Sequence, residues 1–128
     1  MIKYRLVFGL LFFVNLHVFS QNLDETKKNI IKSIENHEEE IIKISDKIWE
    51  LAETAFNEYE SSKLLSDYAE ANGFSLERGV AGMPTAFIAT YGQGRPVISV
   101  LGEFDALPGL SQDTTPTKKP LTDGGNGH

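Results

Sequence analysis

No cysteine occurs among the 128 residues. That excludes a disulfide framework, every cysteine-based zinc site and every cysteine nucleophile within this stretch. It also excludes a lipid anchor attached through cysteine. Histidine is scarce, with His17, His37 and His128 the three present, so no spaced histidine motif exists. There is no Gly-x-Ser-x-Gly, no phosphate-binding loop and no dinucleotide fingerprint. Basic residues are few, 12 Lys and Arg against 18 Asp and Glu. Nucleic acid and anionic membrane surfaces both demand clustered Lys and Arg, so neither is an expected partner. Long apolar runs are missing too, apart from Leu6–Val14 (LVFGLLFFV).

That one run reads as part of an export signal. Lys3 and Arg5 precede it, and Val18-Phe19-Ser20 places small or β-branched residues where a signal peptidase accepts them. Asn15 and His17 interrupt after nine apolar residues, whereas crossing a bilayer takes roughly 20. Residues 1–20 are therefore expected to be a cleaved signal peptide and the protein to be periplasmic or secreted, with no membrane contact after cleavage. Removing Lys3 and Arg5 from the 12 basic residues leaves 10 against 18 acidic ones, a balance of −8.

From Asp24, a plausible helix cap, apolar positions recur at Ile30, Ile34, Ile41, Ile44, Ile48, Leu51 and Ala55, with His37 on the same stripe. Steps of four and three predict a long amphipathic helix packed on a core, in which His37 is a packed residue rather than a ligand. Ser61 and Ser62 can cap a second helix over Lys63–Asn72, stopped by Gly73. Beyond Gly73 the period changes. Phe74 and Leu76 suggest a short strand, Thr85–Tyr91 a stronger one, and Gly92–Pro96 a turn leading to Val97–Leu101, whose composition suits a strand covered on both faces. The fold class that follows is α/β, two helices followed by a hairpin and a buried strand of a mixed sheet. Residues 21–128 would form one partial domain, with 111–128, rich in Thr, Pro, Lys and Gly, expected as a flexible loop.

Two places could carry chemistry. Glu103 and Asp105 follow directly on the expected buried strand, where active crevices of open α/β sheets lie. Two apart, both project to one side if the chain stays extended, and paired carboxylates there could hold a metal, orient a ligand or act as a base. Acids after strands also cap helices or tie turns, and the residues alone leave that open. His128, preceded by Gly124-Gly125-Asn126-Gly127, is the second candidate. On these grounds the chain is equally an exported binding or structural α/β domain carrying an acidic loop.

Gly79-Val80-Ala81-Gly82-Met83-Pro84-Thr85-Ala86-Phe87 and Leu101-Gly102-Glu103-Phe104-Asp105-Ala106-Leu107-Pro108-Gly109-Leu110-Ser111-Gln112 resemble one branch of the aminoacylase and carboxypeptidase amidohydrolases, metallopeptidase family twenty. That branch is the one containing the B subunit of aminobenzoyl-glutamate hydrolase. Trp49–Glu53 and Glu58–Ser62 resemble the helix and turn ahead of those motifs. The resemblance implies a zinc-peptidase-like catalytic domain and a zinc-dependent, or other divalent-metal, hydrolysis of an amide bond in an N-acyl or aminobenzoyl amino acid or a small peptide. It implies that Asp105 orients the metal site and that Glu103 stands where more distant members have a metal-binding histidine. Gly127-His128 resembles the start of a Gly-His-x-Cys-Gly-His segment. The remaining ligands, the general-base glutamate and a dimerisation domain that makes family members homo-oligomers are then expected beyond His128. By itself this stretch is expected to be inactive and to bind no metal tightly.

The export reading predicts a mature amino terminus at Gln21. Mass spectrometry of exported material should find it there, and an intact Met1 or Leu6 would refute the cleavage.

Overall fold

The computed structural model describes the backbone from Ile2 to His128 and side chains from Leu23 onward. The expected signal peptide, residues 1–20, and its cleavage point lie outside the residues whose side chains are described. Among the described residues no helix is long and apolar enough to cross a membrane. The chain divides into two compact units, residues 1–41 and 42–128.

Helix α1 spans Ile2–Leu51. Asp24 is thus interior to it rather than its cap, because no proline and, after Gly9, no glycine interrupts the chain before Leu51. In the first unit Ile30, Ile31, Ile34 and Ile41 are all exposed, and His37 is half-buried. The helix ends where Ala52 turns left-handed, at φ 45°.

The second unit continues through a turn over residues 52–58 into helix α2, Tyr59–Ala71. The sequence suggested a start at Lys63 capped by Ser61 or Ser62. The helix starts four residues earlier, and both serines lie buried inside it. Its amino-terminal amides are satisfied from outside, by a carboxylate of the preceding turn. Its other end follows expectation. Gly73, at φ 87°, donates its amide to Glu70 O (3.0 Å), and Phe74 N donates to Ala69 O (3.1 Å). Such a pair of bonds around a left-handed glycine closes a helix by satisfying its last carbonyls.

Strands β1 (Ser75–Arg78) and β2 (Phe87–Thr90) form an antiparallel pair, with Ser75 opposite Thr90 and Arg78 opposite Phe87. A short 3-10 turn, Val80–Gly82, lies in the connection. Two helices and a two-stranded antiparallel sheet agree with the α/β reading. One element differs. The hairpin of β1 and β2 is as expected, but residues 97–101, read as a buried strand, adopt no strand. Val97, Ile98, Val100 and Leu101 are 77, 86, 93 and 90% exposed. A strand needs a neighbour to take its amides and carbonyls, and no described segment lies beside this one.

Helix α2 is held to the hairpin mainly by polar contacts. The Ser62 hydroxyl donates to Thr85 O (2.6 Å), and the Thr85 hydroxyl donates to Glu58 Oε2 (2.8 Å). Arg78 donates to Ser66 Oγ (3.3 Å), Asp67 Oδ1 (3.1 Å) and Glu70 Oε2 (2.9 Å). Phe74 stacks at a tilt on Tyr91 with 5.2 Å between ring centres. Among the described residues Ala106, 1% exposed, is the one buried apolar side chain, while Glu58, Ser61, Ser62, Ser66 and Thr85 are buried polar ones.

An unpaired apolar segment is a template for association. The double substitution Ile98→Lys, Val100→Lys should suppress aggregation of the purified chain in light scattering. Stability should change by no more than about 0.5 kcal/mol, as at other exposed positions. Undiminished aggregation would place the sticky surface elsewhere.

Candidate functional site

The acidic stretch from Gly102 to Gly109 is fixed by backbone bonds at Ala106 and Leu107 and by Phe104, whose ring lies 6.3 Å from that of Phe87. Ala106 N donates to Glu53 O at 2.7 Å, and Thr54 and Ala106 form a parallel bridge. Its neighbour Leu107 pairs antiparallel with Gly127, Leu107 N donating to Gly127 O (2.8 Å) and Gly127 N to Leu107 O (3.1 Å). Ala106 is therefore clamped from the chain behind α1 on one side and, through Leu107, from the end of the loop on the other.

That clamp sets the two candidate carboxylates apart. Glu103 is exposed, and Asp105, directly beside Ala106, is half-buried. Neither makes a hydrogen bond or ion pair with another described residue. For an exposed glutamate this is ordinary. Asp105 is likewise unpartnered, and its carboxylate oxygens are not among the buried side-chain atoms that lack a hydrogen bond, so they remain open to solvent. The other carboxylates that are not fully exposed are all engaged: Glu53 with the amides of α2, Glu58 with Thr85, Asp113 with Lys119 and Thr114. Among the described residues Asp105 is the one half-buried acid left without a partner.

Residues 111–128 carry no helix or strand, yet they are tied into a closed loop. Ser111 N donates to Gly125 O (3.0 Å), and Thr122 N donates to Ser111 Oγ (3.1 Å). Gln112 organises the outer part. Its Nε2 donates to the carbonyls of Asp113, Thr115 and Thr117 at 3.0, 3.2 and 2.9 Å, and its Oε1 accepts from Lys119 N at 3.1 Å. The Lys119 ammonium beside Asp113, together with the Thr114 amide, holds the Asp113 carboxyl below its ordinary pKa. Gly127 is where the loop closes. A Cβ there would overlap the Leu110 carbonyl and come within 2.7 Å of Ser111 Cα, so only glycine fits.

Because Gly127 pairs with Leu107, the loop delivers the His128 backbone alongside Ala106 and so returns it to the neighbourhood of Asp105. The His128 ring is exposed, with Nε2 3.3 Å from Ile48 O in the last turn of α1. Among the described residues no three of His, Asp and Glu gather closely enough to hold a metal ion. A catalytic zinc ordinarily takes three protein ligands. Asp105, Glu103 and His128 do not make such a set on their own, so the residues present do not by themselves fit a zinc centre.

Two residues that matter here leave no signal in the sequence. The Glu53 carboxylate accepts from the amides of Glu60 (3.1 Å) and Ser61 (2.8 Å), the second and third residues of α2, and so caps that helix. Burial raises its pKa, but the adjoining Ser61 side chain and the Ser61 and Glu60 amides outweigh that and hold it below the usual carboxylate value. Ser61 Oγ itself is fully buried and makes no hydrogen bond of good geometry. Glu58 is the other such residue, buried against Thr85. A capping acid seven residues from its target has no local signature, because sequence capping signals span three residues.

No family model matches the chain. Individual proteins do. The chain is 43% identical over 109 residues to the B subunit of p-aminobenzoyl-glutamate hydrolase from Escherichia coli (strain K12), covering 83% of this chain. It is 36% and 35% identical over 89 residues, 68% of its length, to thermostable carboxypeptidases 2 and 1 of Saccharolobus solfataricus. In each case it spans 22% of the relative's length. The resemblance read from the motifs is thus a true relationship to these hydrolases.

The close approach at Gly127 makes Gly127→Ala destabilising by about 1–3 kcal/mol, the usual size of an overpacked site. Gly102→Ala, where nothing lies within 4 Å and φ is not positive, should be neutral or slightly stabilising. Urea midpoints of the two variants would measure the contrast, and equal midpoints would mean that the loop does not close at Gly127.

Proposed function

We propose that this chain, a relative of p-aminobenzoyl-glutamate hydrolase and of thermostable carboxypeptidases, supplies part of the catalytic domain of an exported, metal-dependent amidohydrolase. The bond cleaved would be the amide of an N-acyl or aminobenzoyl amino acid, or of a small peptide. The observation that carries this reading is Asp105, a half-buried residue whose carboxylate is open to solvent and without a partner, inside the stretch from Leu101 to Gln112 that resembles the hydrolases. Glu53 and Asp113, by contrast, are engaged with amides and a cation. Asp105 remains available to orient another group, which is the role the resemblance implies for it. Glu103, exposed and two residues away, is the accessory acid of the same loop.

Zinc or another divalent ion would supply Lewis acidity when bound. Its remaining donors would have to come from residues other than Asp105, Glu103 and His128. The carboxypeptidase kinship favours a second substrate reading, a small peptide cut at its carboxyl end. One relative is named as the B subunit of its hydrolase, which supports a second, different polypeptide as partner beside a homo-oligomer.

Two measurements test the proposal. The purified 128-residue chain should release no glutamate from aminobenzoyl-glutamate and, by calorimetry, bind zinc no more tightly than micromolar. Ordering the chain around an incomplete donor set costs about 1–2 kcal/mol per residue fixed, against the binding energy. In a hydrolase that joins this stretch to the missing donors, Asp105→Ala should lower activity about 10–100-fold or more with the fold intact, the range typical of residues that orient metal ligands. Activity within about twofold of the unchanged enzyme would return Asp105 to a turn-forming role.

A further inference from the structure

Glu53 faces two ways. Its carboxylate receives the amides of Glu60 and Ser61 at the start of α2, and its backbone carbonyl receives the amide of Ala106 at 2.7 Å. No other described residue touches both α2 and the acidic loop through its own hydrogen bonds. The residue before it, Ala52, is left-handed at φ 45°, and Phe56 three residues on is left-handed at φ 66°. Both conformations are costly for residues with a Cβ and persist only where surrounding bonds hold them. The bonds of Ala52 N to Ile48 O (3.2 Å) and Asn57 N to Thr54 O (2.9 Å) hold the turn from within, and Glu53 ties it at either end to α2 and to Ala106.

We propose that Glu53 is a positioning residue for the acidic loop: by anchoring its carboxylate on α2 it fixes the carbonyl that holds Ala106, and through Ala106 it sets where Asp105 stands. The functional weight of this assignment rests on the proposed role of Asp105; the mechanical coupling does not. Two features separate it from general support of the fold. The bond to Ala106 is made by backbone, so a side-chain substitution at Glu53 reaches Ala106 only by shifting the turn. The links of α2 to the hairpin, Ser62 to Thr85 O at 2.6 Å and Arg78 to Ser66, Asp67 and Glu70, involve neither Glu53 nor the loop.

Amide hydrogen exchange of the 128-residue chain, resolved by residue in nuclear magnetic resonance, reads the coupling with no substrate or metal present. Glu53→Ala should speed exchange at Glu60, Ser61 and Ala106 together, by about tenfold, the size of a lost capping bond. Glu53→Gln, which keeps an acceptor oxygen, should restore part of that protection at all three. Gly79, bonded to Ala86 O at 2.8 Å within the hairpin, is the internal reference and should not change. Ser62→Ala should loosen α2 from Thr85 while leaving Ala106 within about twofold of its original rate. The proposal is overturned if Ala106 keeps its protection in Glu53→Ala, or if Ser62→Ala exposes it equally. It is overturned as well if Ala106 exchanges at the free-peptide rate in the unchanged chain. Failure of Asp105→Ala to affect hydrolysis would leave this coupling standing and remove only its catalytic meaning.

Discussion

A helix begins with amides that have no partner inside it, and in this protein that requirement governs the second unit. The first turn of α2 meets it with the Glu53 carboxylate, whose negative charge also suits the positive end of the helix dipole. Once the helix starts at Tyr59, Ser62 and Ser66 fall on the face turned to the hairpin, where Thr85 O and Arg78 take them up. A start at Lys63 would have left Ser62 in an irregular turn. Backbone position then spreads in the other direction, because the same glutamate offers its carbonyl to Ala106.

The described core is consequently made of hydrogen bonds more than of apolar contact. Ala106 is buried, yet Leu107, Leu110 and the segment 97–101 are all exposed. A net hydrogen bond contributes about 0.5–1.5 kcal/mol, and losing one partner of a buried pair costs more than that. Such a core is sensitive to single polar substitutions and tolerant of apolar ones. It is also directional. Hydrogen bonds fix register where packed side chains could slide, so the loop that carries Asp105 is held in one register.

Much of this was legible in the residues. Gly73 announced the end of α2, and the alternation from Phe74 announced β1, since both depend on neighbours close in sequence. The start of α2 was not legible, because its cap comes from Glu53 rather than from the adjacent Ser61 and Ser62. The hairpin of β1 and β2 follows the reading, whereas the absence of a strand at Val97–Leu101 does not, because a strand depends on a neighbour that the local residues do not reveal. For the candidate site, Asp105 and Glu103 were identified from their place after an apolar run. That run forms no strand here, so the two acids owe their position to the Ala106 clamp and to Phe104 between them, which packs on Phe87.

The clamp explains why small residues stand where they do. Ala106 is 1% exposed between Glu53 and Leu107, and Gly127 has no room for a Cβ against Ser111. At both points backbone meets backbone, and the neighbouring positions, Asp105 and His128, are the ones that bear polar side chains. A larger side chain at either small residue would separate the paired segments of the clamp and carry its polar neighbour with it. The polar residues are thus positioned by the apolar and side-chain-free residues next to them in sequence, while Glu53, far along the chain, holds the frame. Chemistry and geometry sit one residue apart, which is how a loop without regular secondary structure can present a carboxylate at a defined place.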